Sequence, residues 1–141
     1  MSRIEINGLS IAYDLIGEGD KAITVTPGGR FSRETPGVRE LAQALAAEGF
    51  KVLIWDRPNT GESDICFDAE CESFQNADAL AGMIKALGLG KPLVYGASGG
   101  SRGAGAFLSH GWVSSQSRTN CLSNDGGLMP VRYSEAGQKR D

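Results

Sequence analysis

The sequence is poor in the residues that build metal centres and disulfide frameworks. Its 141 residues include one histidine, His110, and three cysteines, which stand at positions 66, 71 and 121 without metal-ligand spacing. Three cysteines cannot all pair within one chain, and free thiols are typical of cytoplasmic proteins. We therefore predict free cysteines and no cysteine-based metal site.

Strong net charge and long apolar runs are also absent. The formal net charge is only −3, so the composition predicts no nucleic-acid or acidic-membrane partner. No apolar run approaches the roughly 20 residues that span a bilayer, and the polar start MSRIEINGLS is unlike a signal peptide. With 40% hydrophobic and 22% charged residues, the chain is predicted to be a soluble cytoplasmic protein.

Alternating strand and helix patterns fill the first 110 residues. Residues 3–17 alternate in polarity around Asn7-Gly8, a favoured two-residue hairpin turn. The segments that follow are a strand at 22–29, a helix at 37–50, a strand at 51–56, a helix at 73–92, a strand at 93–95 and a small-residue helix at 99–110. This order predicts an α/β fold with a mostly parallel sheet.

The pattern stops near residue 110. Residues 111–141 have short apolar patches, no helical period and many Ser, Asn, Gly and Arg residues. A doubly wound sheet would need another strand here, and no segment has a convincing strand pattern. We therefore divide the chain into a structured part, residues 1–110, and an irregular tail, residues 111–141, that is either disordered or does not belong to the fold.

The pentapeptide GASGG follows an apolar strand and precedes a helical pattern. Gly96, Ser98 and Gly100 fit G-x-S-x-G, the nucleophile elbow, in which a sharp turn between strand and helix exposes a serine hydroxyl. The backbone N–H of Gly99, directly after the serine, is one predicted oxyanion donor. The second comes from the loop after an earlier strand, where TPGG places the N–H of Gly29.

A dinucleotide-binding turn is the rival interpretation of the same stretch. YGASGGSRGAG superficially resembles the glycine-rich turn of short-chain dehydrogenases. Arg102 stands where the third glycine belongs, however, and the turn follows at least two strand–helix units instead of the first strand. No acidic residue is placed after a following strand to hold a ribose.

Taken together, the motifs resemble the α/β-hydrolase family over roughly residues 5–110. The hairpin, the TPGG loop, WDRPNTGES at residues 55–63 and the elbow occur in the family's order, and Asp56, Arg57 and Gly61 match positions that shape a turn. The resemblance implies hydrolysis of a small carboxylic ester or related acyl compound through an acyl-enzyme on Ser98, with no metal or organic cofactor.

The base and the acid of a catalytic triad are not found. His110 lies twelve residues after Ser98, about 18 Å along a helix, whereas proton transfer needs contact at about 3 Å. Asp125 is not placed by any predicted strand. In the family the acid and the histidine follow later strands, so the chain resembles a truncated or frame-shifted copy of a longer hydrolase.

Three functions therefore stay open at the level of sequence. One is a serine hydrolase that is weak or inactive in this form, and the second is a catalytically silent fragment or binding protein that needs a partner. The third, which the motifs favour least, is an NAD(P)-dependent short-chain dehydrogenase. A sheet without its later strands would leave an unpaired edge, which favours self-association. The substrate and the oligomeric state are not determined by the sequence.

Overall fold

The computed structural model of the protein describes residues 1–102, 120–122 and 128–130. Strand β1 (Ser2–Ile6) pairs antiparallel with β2 (Leu9–Ile16). Asn7 and Gly8 connect them with φ values of 52° and 79°, and positive values at both positions are what a tight type I′ hairpin turn requires. The hairpin predicted from the sequence is therefore confirmed.

Strands and helices alternate after the hairpin, as the hydrophobic patterns predict. The elements are β3 (Lys21–Thr26), α1 (Val38–Ala47), β4 (Phe50–Trp55), α2 (Glu72–Ala86) and β5 (Leu93–Gly96), and residues 99–102 are helical. Both long helices are shorter than the segments 37–50 and 73–92, but each ends beside the glycine that closes its apolar pattern. Gly49 ends α1 with a φ of 92°, and Gly88 follows α2 with a φ of 63°, a left-handed conformation that stops a helix.

The five strands form one sheet in the order β1-β2-β4-β3-β5. The pairings β1–β2 and β2–β4 are antiparallel, whereas β4–β3 and β3–β5 are parallel, so the sheet is mixed. From β3 the chain crosses to β4 on one side and later to β5 on the other. The carboxyl ends of β3 and β5 therefore flank a switch point, the place where open α/β sheets usually bind ligands.

Each face of the sheet has its own apolar layer. Strand β4 contributes to both, because successive side chains point to opposite faces: Val52 and Ile54 belong to one layer, and Leu53 and Trp55 to the other. Helix α1 covers the first layer through Ala42, and α2 covers the second. These four side chains of β4 are at most 1% exposed, as expected for a strand covered on both sides.

Two short strands occur where the sequence predicts none. Strand β6 (Asn120–Leu122) pairs antiparallel with β7 (Leu128–Pro130) in a separate two-stranded sheet. Strands of three residues are too short to show the alternation that identifies a strand in a sequence. The rest of the predicted tail lies outside the described residues.

Candidate active site

Three loops meet at the carboxyl ends of the parallel strands. Pro27-Gly28-Gly29 follow β3, Asp56-Arg57 follow β4, and Ala97-Ser98-Gly99 follow β5. Because β3 pairs in parallel with both β4 and β5, these loops lie at the same edge of the sheet. The topology thus brings together the segments that the sequence motifs single out.

Ser98 lies on a tight turn between β5 and the helical residues 99–102. Its φ is 48°, a left-handed value that is uncommon for a residue with a side chain, and the residue is exposed. The Ala97 N–H donates to the Thr26 carbonyl at 3.1 Å, which ties the turn to the end of β3. The Ser101 N–H donates to the Ser98 carbonyl at 3.0 Å and begins the helix.

Glycine is required on both sides of this serine because other backbone passes close by. A Cβ added to Gly96 would lie 2.7 Å from the Gly100 carbonyl oxygen, and one added to Gly100 would lie 2.5 Å from the Thr26 carbonyl oxygen. Neither neighbour is a flexible side chain that could move aside. The G-x-S-x-G spacing is therefore a packing requirement of this turn.

The glycine loop after β3 approaches the serine turn directly. A Cβ on Gly28 would lie 2.9 Å from the Ser98 Cβ, and one on Gly99 would lie 3.2 Å from the Gly29 nitrogen. Within the residues that the structure describes, neither the Gly29 N–H nor the Gly99 N–H donates a hydrogen bond. Two unused backbone donors thus lie close together beside an exposed serine.

Asp56 anchors the loop that carries Gly29. Its carboxylate is completely buried, accepts the Arg33 N–H at 2.7 Å and the Glu62 N–H at 3.0 Å, and pairs with the Arg33 guanidinium. Burial alone would lower the pKa of Arg33, but Asp56 and Asp14 beside it raise that pKa above its ordinary value. Asp56 thereby shapes the turn after β4, as the family resemblance implies, and also fixes the loop after β3.

Sequence reasoning did not identify Arg33, which is 2% exposed. It follows the glycine loop in a polar stretch, GGRFSRETPG, whose composition indicates a surface loop. One available signal was the buried strand that leads into Asp56, since a carboxylate that leaves a buried strand needs a cationic partner.

Arg57 faces the glycine loop from the adjacent turn. The side chain is 4% exposed, and its Nη2 donates to the Gly29 carbonyl. Burial lowers the pKa of Arg57. Next to this contact is a cleft of about 250 Å³, and its lining residues are Gly29, Arg30, Arg57, Glu72, Ser73, Asn76, Gly99 and Arg102.

A larger surface depression of about 870 Å³ lies between the hairpin turn and α2, around Asn7, Asp78 and Lys85. Size favours this depression, but neither Gly29 nor Gly99 lines it. Both glycines line the small cleft, and although Ser98 itself does not, Gly99 is the next residue along the chain, so we regard this cleft as the candidate active site.

The residues that the sequence does not favour as site residues are placed as follows. His110 and Asp125 lie outside the described residues, and so does the side chain of Cys121. Cys66 and Cys71 are free thiols. Among the residues with described side chains, no group of three or more His, Cys, Asp and Glu is arranged to hold a metal ion. No helix in the described part of the chain is long and apolar enough to cross a membrane.

Comparisons with known proteins agree on one fold. No family model matches the chain. A 2-hydroxy-6-oxononadienedioate/2-hydroxy-6-oxononatrienedioate hydrolase of Burkholderia vietnamiensis is 31% identical over 100 residues, which are 70% of this chain and 35% of that protein. The chain thus spans about a third of the length of this curated relative.

Two solved structures give the same result. An alpha/beta hydrolase from Sphaerobacter thermophilus is 28% identical with a TM-score of 0.61, and the match covers 71% of this chain and 37% of that one. A thermophilic esterase from Thermogutta terrifontis, with malate bound, is 27% identical with a TM-score of 0.68, over 77% of this chain and 40% of its own.

Proposed function

The chain has the N-terminal part of the α/β-hydrolase fold, and from this premise we propose that it is a serine hydrolase of small carboxylic esters or related acyl compounds. Ser98 is the nucleophile, and the N–H groups of Gly29 and Gly99 form the oxyanion hole. The observation that carries the proposal is that these two N–H groups, neither of which donates a hydrogen bond within the described residues, lie beside an exposed serine with a φ of 48°.

The reaction follows from these groups. The Ser98 Oγ attacks the acyl carbonyl carbon, and the negative charge that develops on the carbonyl oxygen is stabilised by the two N–H groups. The carbon–oxygen bond to the alcohol breaks, the alcohol leaves with the serine proton, and water then releases the acid from Ser98. The helical dipole of residues 99–102 favours the same negative charge.

Proton transfer limits the rate that we expect. A serine hydroxyl is a weak nucleophile until a base takes its proton, and residues 1–102 contain no histidine. Without a base, an oxyanion hole and substrate binding retain only a small part of the rate enhancement. We therefore propose weak turnover for this chain; no turnover is the outcome expected of the alternative, a silent binding protein.

The names of the relatives support hydrolase chemistry. The Burkholderia protein is named a hydrolase and the Thermogutta protein an esterase. The cytoplasmic location and the self-association through a sheet edge stay predictions from the sequence.

Covalent labelling of Ser98 is the direct test of the proposal. A fluorophosphonate phosphonylates a nucleophilic serine with loss of fluoride, so we expect one adduct per chain, formed slowly for want of a base, by intact mass, and none in Ser98→Ala. Slow hydrolysis of 4-nitrophenyl butyrate should fall to the uncatalysed rate in the same variant. Ser2→Ala, which removes an exposed hydroxyl from β1, is the matched control and should behave as the wild type.

Identical labelling and identical rates for the wild type and Ser98→Ala would reject the serine hydrolase and favour the silent binding protein. Saturable binding of a nicotinamide dinucleotide would instead support the dehydrogenase interpretation.

A further inference from the structure

The cleft beside the oxyanion glycines is rich in positive charge. Three arginines line it, Arg30, Arg57 and Arg102, against a single carboxylate, that of Glu72. Arg30, Arg102 and Glu72 are exposed at its margin, whereas Arg57 is buried. A protein with a formal net charge of −3 therefore places a local excess of cations next to its candidate nucleophile.

Among the residues that the structure describes, Arg57 lacks the carboxylate partner that a buried cation normally has. Arg33, buried to the same degree, pairs with Asp56 and with Asp14, whose Oδ2 lies 3.2 Å from the Arg33 Nε. Within the described residues no carboxylate lies within 4.0 Å of Arg57. A desolvated charge without a counterion is costly, so an anion supplied by a ligand would be strongly favoured at this position.

The orientation of the Arg57 guanidinium is already fixed. Its Nη2 donates to the Gly29 carbonyl, and its buried Nε has no hydrogen-bond partner among the described residues. The remaining donors of a planar guanidinium form a fork that matches the two oxygens of a carboxylate. The contact with the Gly29 carbonyl joins Arg57 to a residue whose N–H would hold the oxyanion, and Arg57, Gly29 and Gly99 line the same cleft.

We propose that the cleft binds a carboxylate on the acyl part of the substrate, with Arg57 as its main partner and Arg30 and Arg102 at the entrance. This inference rests on the proposed function and specifies its substrate class: short esters whose acid carries a second, ionised carboxyl group. Because Arg57 contacts the residue that supplies one oxyanion donor, the two ends of such an acyl group need only a short spacer.

Binding without turnover tests the inference first. In Ser98→Ala, monoethyl succinate is compared by isothermal titration with ethyl 4-methylpentanoate, in which an isopropyl group replaces the carboxylate. We expect the acid ester to bind about tenfold more tightly or better, because hydrogen bonds to a charged group are worth about 1.5–3 kcal/mol. Equal affinities would overturn the inference.

Arginine variants locate the anion site. In the same Ser98→Ala background, Arg57→Gln should remove most of the preference for the acid ester, and Arg30→Gln and Arg102→Gln should each weaken it about threefold through lost Coulomb attraction. Arg30 and Arg102 are exposed, so these variants keep the test valid if Arg57→Gln does not fold. Lys91→Gln changes the net charge equally at the amino end of β5 and should leave the preference intact. An equal loss in Lys91→Gln would also overturn the inference.

Turnover separates this inference from the proposed function. With Ser98 present, the ratio of kcat/KM for the acid ester to that for the neutral ester should fall in Arg57→Gln, even if both rates fall because Gly29 loses a contact. Hydrolysis of both esters at equal rates rejects the anion site and retains the hydrolase. Binding that depends on Arg57, without hydrolysis of either ester, retains the anion site and rejects the hydrolase.

Discussion

The apolar layers of the sheet and the Asp56–Arg33 pair at the carboxyl edge of its strands are both buried, but by different means. The apolar layers consist of aliphatic and aromatic groups, such as Leu53 and Trp55 of β4. One residue further along the same strand, Asp56 is equally buried and needs Arg33 and two backbone N–H groups to satisfy it. Apolar burial is non-directional and supplies stability, whereas a buried ion pair is costly and fixes a geometry.

The two arginines at this edge extend the comparison. Arg33 is matched by carboxylates and serves the loop, whereas Arg57 has only a carbonyl partner among the described residues. A satisfied charge holds a structure in place, and an unsatisfied one is available to a ligand. This contrast is why we assign the loop geometry to Arg33 and substrate recognition to Arg57.

Breaking the Asp56–Arg33 pair should have the largest effect on stability. Asp56→Asn removes the carboxylate that makes the tightest contact with the buried Arg33 cation and leaves Asp14 as its nearest partner. We expect the free energy of unfolding to fall by about 3–5 kcal/mol. Chemical denaturation measures this change. The double variant Arg33→Met, Asp56→Asn removes the cation and should recover part of the loss; no recovery would show that the charge is not the cause.

A cavity in the apolar layer beneath α2 should lower the free energy of unfolding by a similar or smaller amount and leave the candidate active site unchanged. Leu53 is fully buried between the sheet and α2, so Leu53→Ala should lower the free energy of unfolding by about 2–5 kcal/mol. Affinity for monoethyl succinate, measured well below the unfolding temperature, should not change. A loss of affinity equal to that of Arg57→Gln would remove the distinction between the two regions.

Relief of strain at the elbow should have the smallest effect, with the opposite sign. Ser98 has a φ of 48°, which costs an L-residue about 1 kcal/mol relative to glycine. Ser98→Gly should therefore raise the unfolding temperature slightly while abolishing fluorophosphonate labelling. A lower unfolding temperature would show that the serine side chain stabilises the turn and is not merely tolerated there.

Much of the fold could be predicted from the sequence because its signals are local. Hydrophobic alternation identifies the hairpin strands, the Asn7-Gly8 pair identifies their turn, and the continuous apolar run before Asp56 identifies a strand covered on both faces. The carboxyl ends of α1 and α2 also carry local signals, because Gly49 and Gly88 directly follow the residues that cap the two helices. The β6–β7 pair was missed because three residues carry too little pattern.

The candidate site divides in the same way. The elbow around Ser98 and the Gly29 loop are short motifs whose glycines are required locally, so the sequence by itself determined which residues would form them. Only the tertiary structure decided that the two loops meet, that Arg33 neutralises Asp56, and that Arg57 is buried with no carboxylate beside it in the described part of the chain. Such facts depend on contacts between residues that lie 20 to 70 positions apart, where no periodicity links one side chain to its partner. Strand order sets these contacts, because parallel neighbours bring their carboxyl ends to the same edge of the sheet.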